Sequence, residues 1–322
     1  MTEAARLISK VLVLESQSDS AAHIKAFCED NQLVGLTARP DDVMAVLRSN
    51  VDLGAVFIAE HHGEHTQGGV LLARLIHGIR PELPIFLRRE HGSQLSDLSD
   101  SDQAIFRGAF TLKDMGRLRK LINASLFSLV YPVALVRGVA EFTRHSLESQ
   151  FKGVEITADA PYIVRDRLIY GELLSLIPLE SDWCRGYMML QTAEQPLVDF
   201  VRQDKTHIDS GATNFRDINN VLGELTNLIW GAFKNRYTSQ EAFTGHLTQV
   251  PIIVNHAHRY ISFGSDDPQL CFKYTLHDAE GDSPPLSIYQ RFVFNLNWSP
   301  ERFKENEALV NNLLGSGALE LF

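Results

Sequence analysis

One segment, residues 215–237, carries side chains whose types and spacing could do chemistry. Asn220, Glu224, Asn227 and Gly231 follow one another along it at steps of four, three and four residues. Residues three and four apart are neighbours on a helix surface. A helix here would therefore present a carboxylate beside an amide, and the next turn would carry no side chain at the glycine. The carboxylate can pair with a cation, and the amide can both donate and accept hydrogen bonds.

The same segment carries the apolar stripe that a packed helix requires. Its members recur at helical spacing: Ile218, Val221, Leu222, Leu225, Leu228, Ile229, Ala232 and Phe233. A polar row opposite such a stripe is usually only a solvated face, and about one Glu-x-x-Asn is expected by chance in a chain of this size. The spacing alone therefore predicts the helix and does not decide its function.

The setting of the motif is more informative, because LGELTNLIWGAFKN (residues 222–235) resembles the helix G-E-x-x-N-x-x-x-G of the CheC/CheX/FliY phosphatases. The order of the neighbouring segments agrees with that family. An apolar helix is predicted at 131–149, strands follow with Gly186 where a hairpin could turn, and TQVPIIVNH comes after the motif. The resemblance spans roughly residues 127–294 and implies an α+β CheX-like domain with an antiparallel sheet and long helices.

The resemblance implies that the protein removes phosphate from the aspartyl phosphate of a CheY-type response regulator. Asn227 would orient the attacking water, Glu224 would contact a lysine of the partner, and Asn220 and Gly231 would belong to the partner-binding surface. Such catalysis is mostly positioning and charge neutralisation. Mg2+ is expected on the partner regulator, no cofactor is expected on this chain, and a homodimer is expected.

Some members of the family carry a second pair on an earlier helix. The corresponding residues here are Glu141, Phe142, Thr143 and Arg144, so the glutamate is present and arginine replaces the asparagine. We therefore expect one working site per chain.

The first 124 residues alternate short apolar runs with amphipathic segments, which predicts an α/β doubly wound parallel sheet of the receiver or flavodoxin-like kind. Strands are predicted at 10–16, 33–37, 55–60, 84–90 and 108–113, and helices at 20–31, 41–49, 71–81 and 115–127. The acidic, serine-rich stretch 93–103 is the least helix-like part. Residues 125–322 form the second predicted domain.

This first domain resembles the receiver domain of response regulators but keeps little of its chemistry. A receiver holds an acyl phosphate and Mg2+ among hard oxygen ligands. The positions that do so fall here on Glu15 with Ser16, on Ala59 or Glu60, on Arg88 or Arg89, and on Lys113. Only the lysine matches. We expect a degenerate receiver that takes no phosphate on the usual aspartate and serves for docking or dimerisation.

Two other groups of residues could bind a metal, and neither pattern favours it. His61, Glu64 and His65 match the letters of a zinc-protease motif, H-x-x-E-H, but the run follows a strand and contains Gly63, which predicts a loop. The three cysteines, Cys28, Cys184 and Cys271, are scattered and form no CxxC, which favours buried reduced thiols.

Composition limits the remaining classes of function. The 322 residues carry 40 acids against 30 lysines and arginines, a net charge of −10, which argues against nucleic acid as a partner. No apolar run approaches the roughly 18 residues of a membrane span, and the first residues lack a signal-peptide pattern, so a soluble, cytoplasmic protein is expected. The alternative to a phosphatase is a non-catalytic module that binds a response regulator without hydrolysing its phosphate.

Overall fold

The computed structural model describes residues 6–50, 53–63, 68–81, 83–165, 171–181, 183–207, 215–238, 251–255, 267–281 and 284–303. No helix within these ranges is long and apolar enough to cross a membrane.

The N-terminal part is built on a five-stranded parallel sheet. Its strands are β1 (Ser9–Leu14), β2 (Leu33–Thr37), β3 (Leu53–Ala59), β4 (Ile85–Arg88) and β5 (Phe106–Phe110). Its helices are α1 (Ser18–Asp30), α2 (Val43–Ser49), α3 (Gly68–Ile79), α4 (Asp100–Gln103) and α5 (Met115–Ser125). The strand order is β2-β1-β3-β4-β5, with every pair parallel. This is the predicted doubly wound, receiver-like architecture.

The sequence explains why this sheet is covered on both faces. Every residue of β3 and β4 is buried, as expected for strands with helices above and below them. Residues of α1 and α5 share one apolar cluster with the sheet, and residues of α2 and α3 share the other. The stretch 93–103 contains only the four residues of α4 as helix, in agreement with its acidic, serine-rich sequence. The last strand ends earlier than predicted, at Phe110.

The C-terminal part is built on a seven-stranded antiparallel sheet. Its strands are β6 (Val154–Ala158), β7 (Tyr162–Val164), β8 (Leu173–Glu180), β9 (Cys184–Thr192), β10 (Ile252–Asn255), β11 (Gln269–Asp278) and β12 (Leu286–Trp298). Its helices are α6 (Val133–Gln150), α7 (Glu194–Arg202) and α8 (Phe215–Tyr237). The order is β10-β8-β9-β12-β11-β6, and β7 pairs with β11. The predicted α+β class, with an antiparallel sheet and long helices, is confirmed.

The three helices α6, α7 and α8 share one apolar core with this sheet. The sequence patterns missed α7, which is only nine residues long and has Pro196 as its third residue. Proline is tolerated in the first turn of a helix, where its missing N–H would have no partner within the helix. The amphipathic run Leu197–Val201 that follows then buries its apolar side chains in the core.

Gly186 is not at a hairpin turn, and that prediction is wrong. The residue lies inside β9, opposite Leu179 of β8 and Phe294 of β12. A Cβ atom at this position would stand 1.9 Å from the carbonyl oxygen of Val293. The glycine is therefore needed for the close approach of β9 and β12, and the β8–β9 connection lies between Glu180 and Cys184.

Residues 7–9, just before and at the start of β1, make contacts with the C-terminal part. Leu7 is buried in the core of the C-terminal part, and Ile8 forms a parallel β-bridge with Tyr162. The Ser9 hydroxyl then donates a 2.9 Å hydrogen bond to the carbonyl oxygen of Ile163. α5 and α6 are separate helices, the first ending at Ser125 and the second beginning at Val133. The domain limit at 124/125 stays a prediction.

Candidate functional site

The helix that carries the predicted site is α8, a continuous helix of 23 residues. Its buried side is largely the predicted stripe, comprising Ile218, Val221, Leu222, Leu225, Ile229 and Phe233. Two members of the predicted stripe are not buried: Ala232 is half-buried, and the side chain of Leu228 is 39% exposed. On a helix Leu228 follows Glu224 by one turn and precedes Gly231 by three residues, so it lies on the outer side with them.

The predicted polar row lies on the outer surface of α8. Asn220, Glu224 and Asn227 are all exposed, and Gly231 is half-buried. A Cβ atom on Gly231 would meet no atom within 4 Å beyond the helix's own backbone. The carboxylate and the amide are therefore accessible side by side next to an open turn.

Beneath this row, a buried pair of hydroxyl groups joins α8 to the sheet. The Oγ atoms of Thr226 and Ser175, which lies on β8, are 2.7 Å apart. Thr226 also donates a 2.6 Å hydrogen bond to the carbonyl oxygen of Leu222. The far end of the helix is held by Trp183, whose indole N–H donates to the carbonyl oxygen of Tyr237 at 2.8 Å.

The earlier helix, α6, offers no equivalent pair. Arg236 Nη1 lies 2.8 Å from one carboxylate oxygen of Glu141, and Arg137 Nε lies 3.6 Å from the other. Arg144, which stands where the asparagine would be, donates to the carbonyl oxygen of Ile156. Glu141 is thus paired with arginines of its own chain, and the number of working sites per chain stays a prediction.

In the N-terminal part, Glu15, which follows the last residue of β1, forms a buried ion pair. Arg88 binds Glu15 with two hydrogen bonds, 2.7 Å from Nε and 3.0 Å from Nη2. The two side chains are 3% and 1% exposed. Such two-pronged arginine–carboxylate contacts are among the strongest hydrogen-bonded pairs in proteins. Both Glu15 oxygens are therefore bound to a guanidinium group.

Glu60, which follows β3, is also bound to an arginine. Arg89 donates to both carboxylate oxygens of Glu60, at 2.9 and 3.3 Å, and also pairs with Asp97. The hydrogen bonds from Arg89 lower the pKa of Asp97 to about 2. Lys113, the one residue that matches the receiver pattern, is exposed beyond the end of β5. These contacts support the interpretation of a degenerate receiver.

The histidine run does not form the zinc-protease arrangement in the described residues. His61 and His62 follow β3 and are not helical, and Glu64 and His65 lie outside the described residues. His62 is only 7% exposed, and its Nδ1 lies 3.4 Å from the Ser16 hydroxyl. Burial lowers the pKa of His62, against the opposing effect of Glu15.

Elsewhere in the described ranges, no group of three or more histidine, cysteine, aspartate or glutamate side chains is arranged to hold a metal ion. None of the three cysteines forms a disulfide and all three are buried, as predicted. Burial and the nearby Glu29 raise the pKa of Cys28 to about 12, which keeps that residue a neutral thiol.

No family model and no curated protein sequence matches the chain. Solved structures do match both parts of the chain: CheX/CheC-like chemotaxis proteins match the C-terminal half, and receiver domains match the N-terminal portion. A chemotactic CheC-like protein from Shewanella oneidensis is 18% identical, with 50% of this chain and 94% of that chain covered at a TM-score of 0.34. A CheX–CheY–BeF3–Mg2+ complex from Borrelia burgdorferi is 10% identical, with coverages of 50% and 97% and a TM-score of 0.31.

On the receiver side, a response regulator receiver domain protein from Clostridium thermocellum is 22% identical. The match covers 36% of this chain and 96% of that chain, at a TM-score of 0.29. The chain is thus similar to CheX/CheC-like chemotaxis proteins in one part and to receiver domains in the other.

Proposed function

We propose that this protein dephosphorylates the aspartyl phosphate of a CheY-type response regulator. The observation that carries the proposal is the pair Glu224 and Asn227, exposed together on α8 beside the open turn at Gly231. The other acids at predicted functional positions, Glu15, Glu60 and Glu141, are bound to arginines of the same chain. Among these predicted positions, all of which lie in the part of the chain that the structure describes, only the α8 pair combines the motif of the phosphatases with access for a partner.

The chemistry divides between the two proteins. Asn227 would hold a water molecule in line with the phosphorus of the partner's acyl phosphate, and Glu224 would pair with a lysine of the partner and fix the position of α8. The water oxygen forms the new bond to phosphorus, the bond from phosphorus to the aspartyl oxygen breaks, and the products are aspartate and inorganic phosphate. Mg2+ on the partner would neutralise the phosphoryl oxygens.

Gly231 and Asn220 would complete the contact surface at the two ends of the pair. Because no side chain rises from the turn at Gly231, the partner's backbone can approach the helix closely there. We also propose that the protein acts as a homodimer and that its degenerate receiver serves for docking or dimerisation.

The second candidate is a regulator-binding module without phosphatase activity. The N-terminal part favours it, because there the chain has a receiver-like fold while the glutamates at the acidic positions, Glu15 and Glu60, are bound to arginines. The exposed Glu224 and Asn227 favour catalysis instead.

Phosphate release and binding measured together would separate the two candidates. We expect the protein to accelerate phosphate release from a phosphorylated, Mg2+-bound CheY-type regulator, and Asn227→Ala to lower the rate by about 100-fold or more, since positioning dominates such catalysis. Asn123→Ala and Glu148→Gln, at exposed positions of α5 and α6, are matched controls and should keep full activity. Binding of the regulator without any acceleration would favour the second candidate.

A further inference from the structure

The helices α6 and α8 share a feature that the phosphatase motif does not include. Each carries the pattern Glu-x-Thr, as Glu141-Phe142-Thr143 and Glu224-Leu225-Thr226. In both helices the threonine is fully buried against the sheet. In both, its hydroxyl is hydrogen-bonded to a side chain of a strand.

The strand partners are themselves fully buried. Thr226 meets Ser175 of β8 at 2.7 Å, and Thr143 meets Gln290 of β12 at 3.0 Å from the amide nitrogen. These polar contacts lie within the large apolar core that the two helices share with the sheet. Apolar contacts are non-directional, so they leave a helix some freedom to roll about its axis. A hydrogen bond weakens steeply when its angle departs from the optimum, and a buried hydroxyl without a partner destabilises the fold.

The donor in the hydrogen bond between Thr226 and Ser175 follows from the number of hydroxyl protons available. A threonine hydroxyl has one proton, and that of Thr226 is donated to the carbonyl oxygen of Leu222. Ser175 must therefore donate to Thr226, which accepts. Thr226 thus links the backbone of α8, one turn upstream, to β8.

We propose that Thr226, through Ser175, is the positioning residue that sets the rotation of α8 and thereby aims Glu224 and Asn227 at the partner. The inference rests on the proposed function and adds a residue to it. Thr226 is adjacent to Asn227 in the chain, so a roll of the helix about its axis displaces the amide. Displacements of about 1 Å are enough to lower catalysis 100-fold.

The pair on α6 provides a matched control within the same molecule. Thr143 makes the corresponding buried contact, but the glutamate beside it, Glu141, is bound to Arg236 and takes no part in the proposed reaction. Thr226→Val and Thr143→Val remove the same hydroxyl from the same kind of interface. The first should affect the site and the second only the stability of the fold.

The kinetic test compares these two variants in the full-length chain with a phosphorylated CheY-type regulator. We expect Thr226→Val to lower kcat about 10-fold or more with KM changed less than about twofold. Thr226→Ser, which keeps the hydroxyl, should restore kcat. Thr143→Val should lower the unfolding midpoint by a similar amount and leave kcat unchanged. Equal kcat values for Thr226→Val and Thr143→Val would overturn the proposal.

A second readout does not depend on phosphatase activity. The three native cysteines are buried, so a maleimide reports on a cysteine introduced by Asn227→Cys or by Leu228→Cys. We expect Thr226→Val to change the ratio of the two labelling rates about threefold or more, because a roll of α8 exposes one position at the expense of the other. An unchanged ratio would refute the positioning role, even if the protein is a phosphatase. A changed ratio in an inactive protein would refute only the proposed function.

Discussion

At the scale of single residues, what distinguishes Glu224 from the other glutamates at predicted functional positions is that it faces solvent. Glu15, Glu60 and Glu141 each lie within hydrogen-bonding distance of an arginine, whereas Glu224 is exposed beside Asn227 and Leu228. In the proposed complex, a lysine of the partner would therefore pair with Glu224 without displacing a guanidinium group. At Glu15 and Glu60 the carboxylate oxygens are bound to guanidinium groups instead.

Arg88 and Glu15 make a testable pair, because each is nearly fully buried with the other. We expect Arg88→Met to lower the free energy of unfolding by about 3–5 kcal/mol, since it leaves a buried carboxylate without its partner. The double variant Arg88→Met with Glu15→Leu should recover most of that loss. Urea unfolding of the two variants measures both effects. A double variant as unstable as the single one would show that the pair is not the source of the loss.

His62 makes stability depend on pH in a defined direction. Burial lowers its pKa in the folded protein below the ordinary value of 6.5, while the unfolded chain keeps that value. As the pH falls through about 6.5, the unfolded state therefore binds the proton first, and stability falls. Glu15 acts in the opposite direction, and the charge of Arg88 lies beside it.

The measurement for His62 is the free energy of unfolding at pH 7.5 and at pH 5.5. His62→Gln should show a smaller decrease than the parent chain, because the contribution of the other histidines is common to both. An equal decrease in the two proteins would contradict the role given to this side chain.

At the scale of elements, the sequence predicts those helices and strands whose formation depends on the spacing of apolar residues within the segment itself. α8 was predicted nearly to its ends because its apolar stripe repeats with the helical period, and β3 and β4 because both of their faces are apolar. The predictions for Leu228, placed in the buried stripe, and for Gly186, placed at a hairpin turn, are wrong. The surroundings of both residues come from strands and helices that are distant in the sequence. The Arg88–Glu15 pair joins residues 73 positions apart, and no local pattern announces such a contact.

Gly186 gives the clearest prediction at this scale. Gly186→Ala should destabilise the protein by more than about 2 kcal/mol, because its methyl group would overlap the carbonyl oxygen of Val293 unless β9 and β12 separate. Gly231→Ala is the matched control, since its methyl group enters open space and alanine favours helix over glycine. Thermal unfolding of both variants measures the difference. Similar midpoints would contradict the packing described for β9.

At the scale of the whole molecule, residues 7–9 belong structurally to both parts. Leu7 lies in the core of the C-terminal part, two residues before β1 begins in the N-terminal sheet. Phe127, on the segment between α5 and α6, packs against clusters of both parts. The predicted limit at 124/125 divides the sequence, and these contacts cross it.

Leu7→Ala tests this coupling. We expect it to lower the free energy of unfolding of the C-terminal part by about 2–4 kcal/mol, the usual effect of removing a buried leucine side chain. The three tryptophans, Trp183, Trp230 and Trp298, all lie in that part, so their fluorescence follows its unfolding. An unchanged fluorescence transition would show that Leu7 does not support the C-terminal core.

The central claim is that α8 delivers a water-orienting amide to a phosphorylated regulator. The most direct measurement is the single-turnover lifetime of a phosphorylated CheY-type regulator, with Mg2+ and a saturating concentration of this protein or of Asn227→Ala. The account predicts a lifetime shortened by the parent protein and restored by the variant, while both bind the regulator. A lifetime unchanged by the parent protein at saturation, or shortened equally by Asn227→Ala, would contradict it.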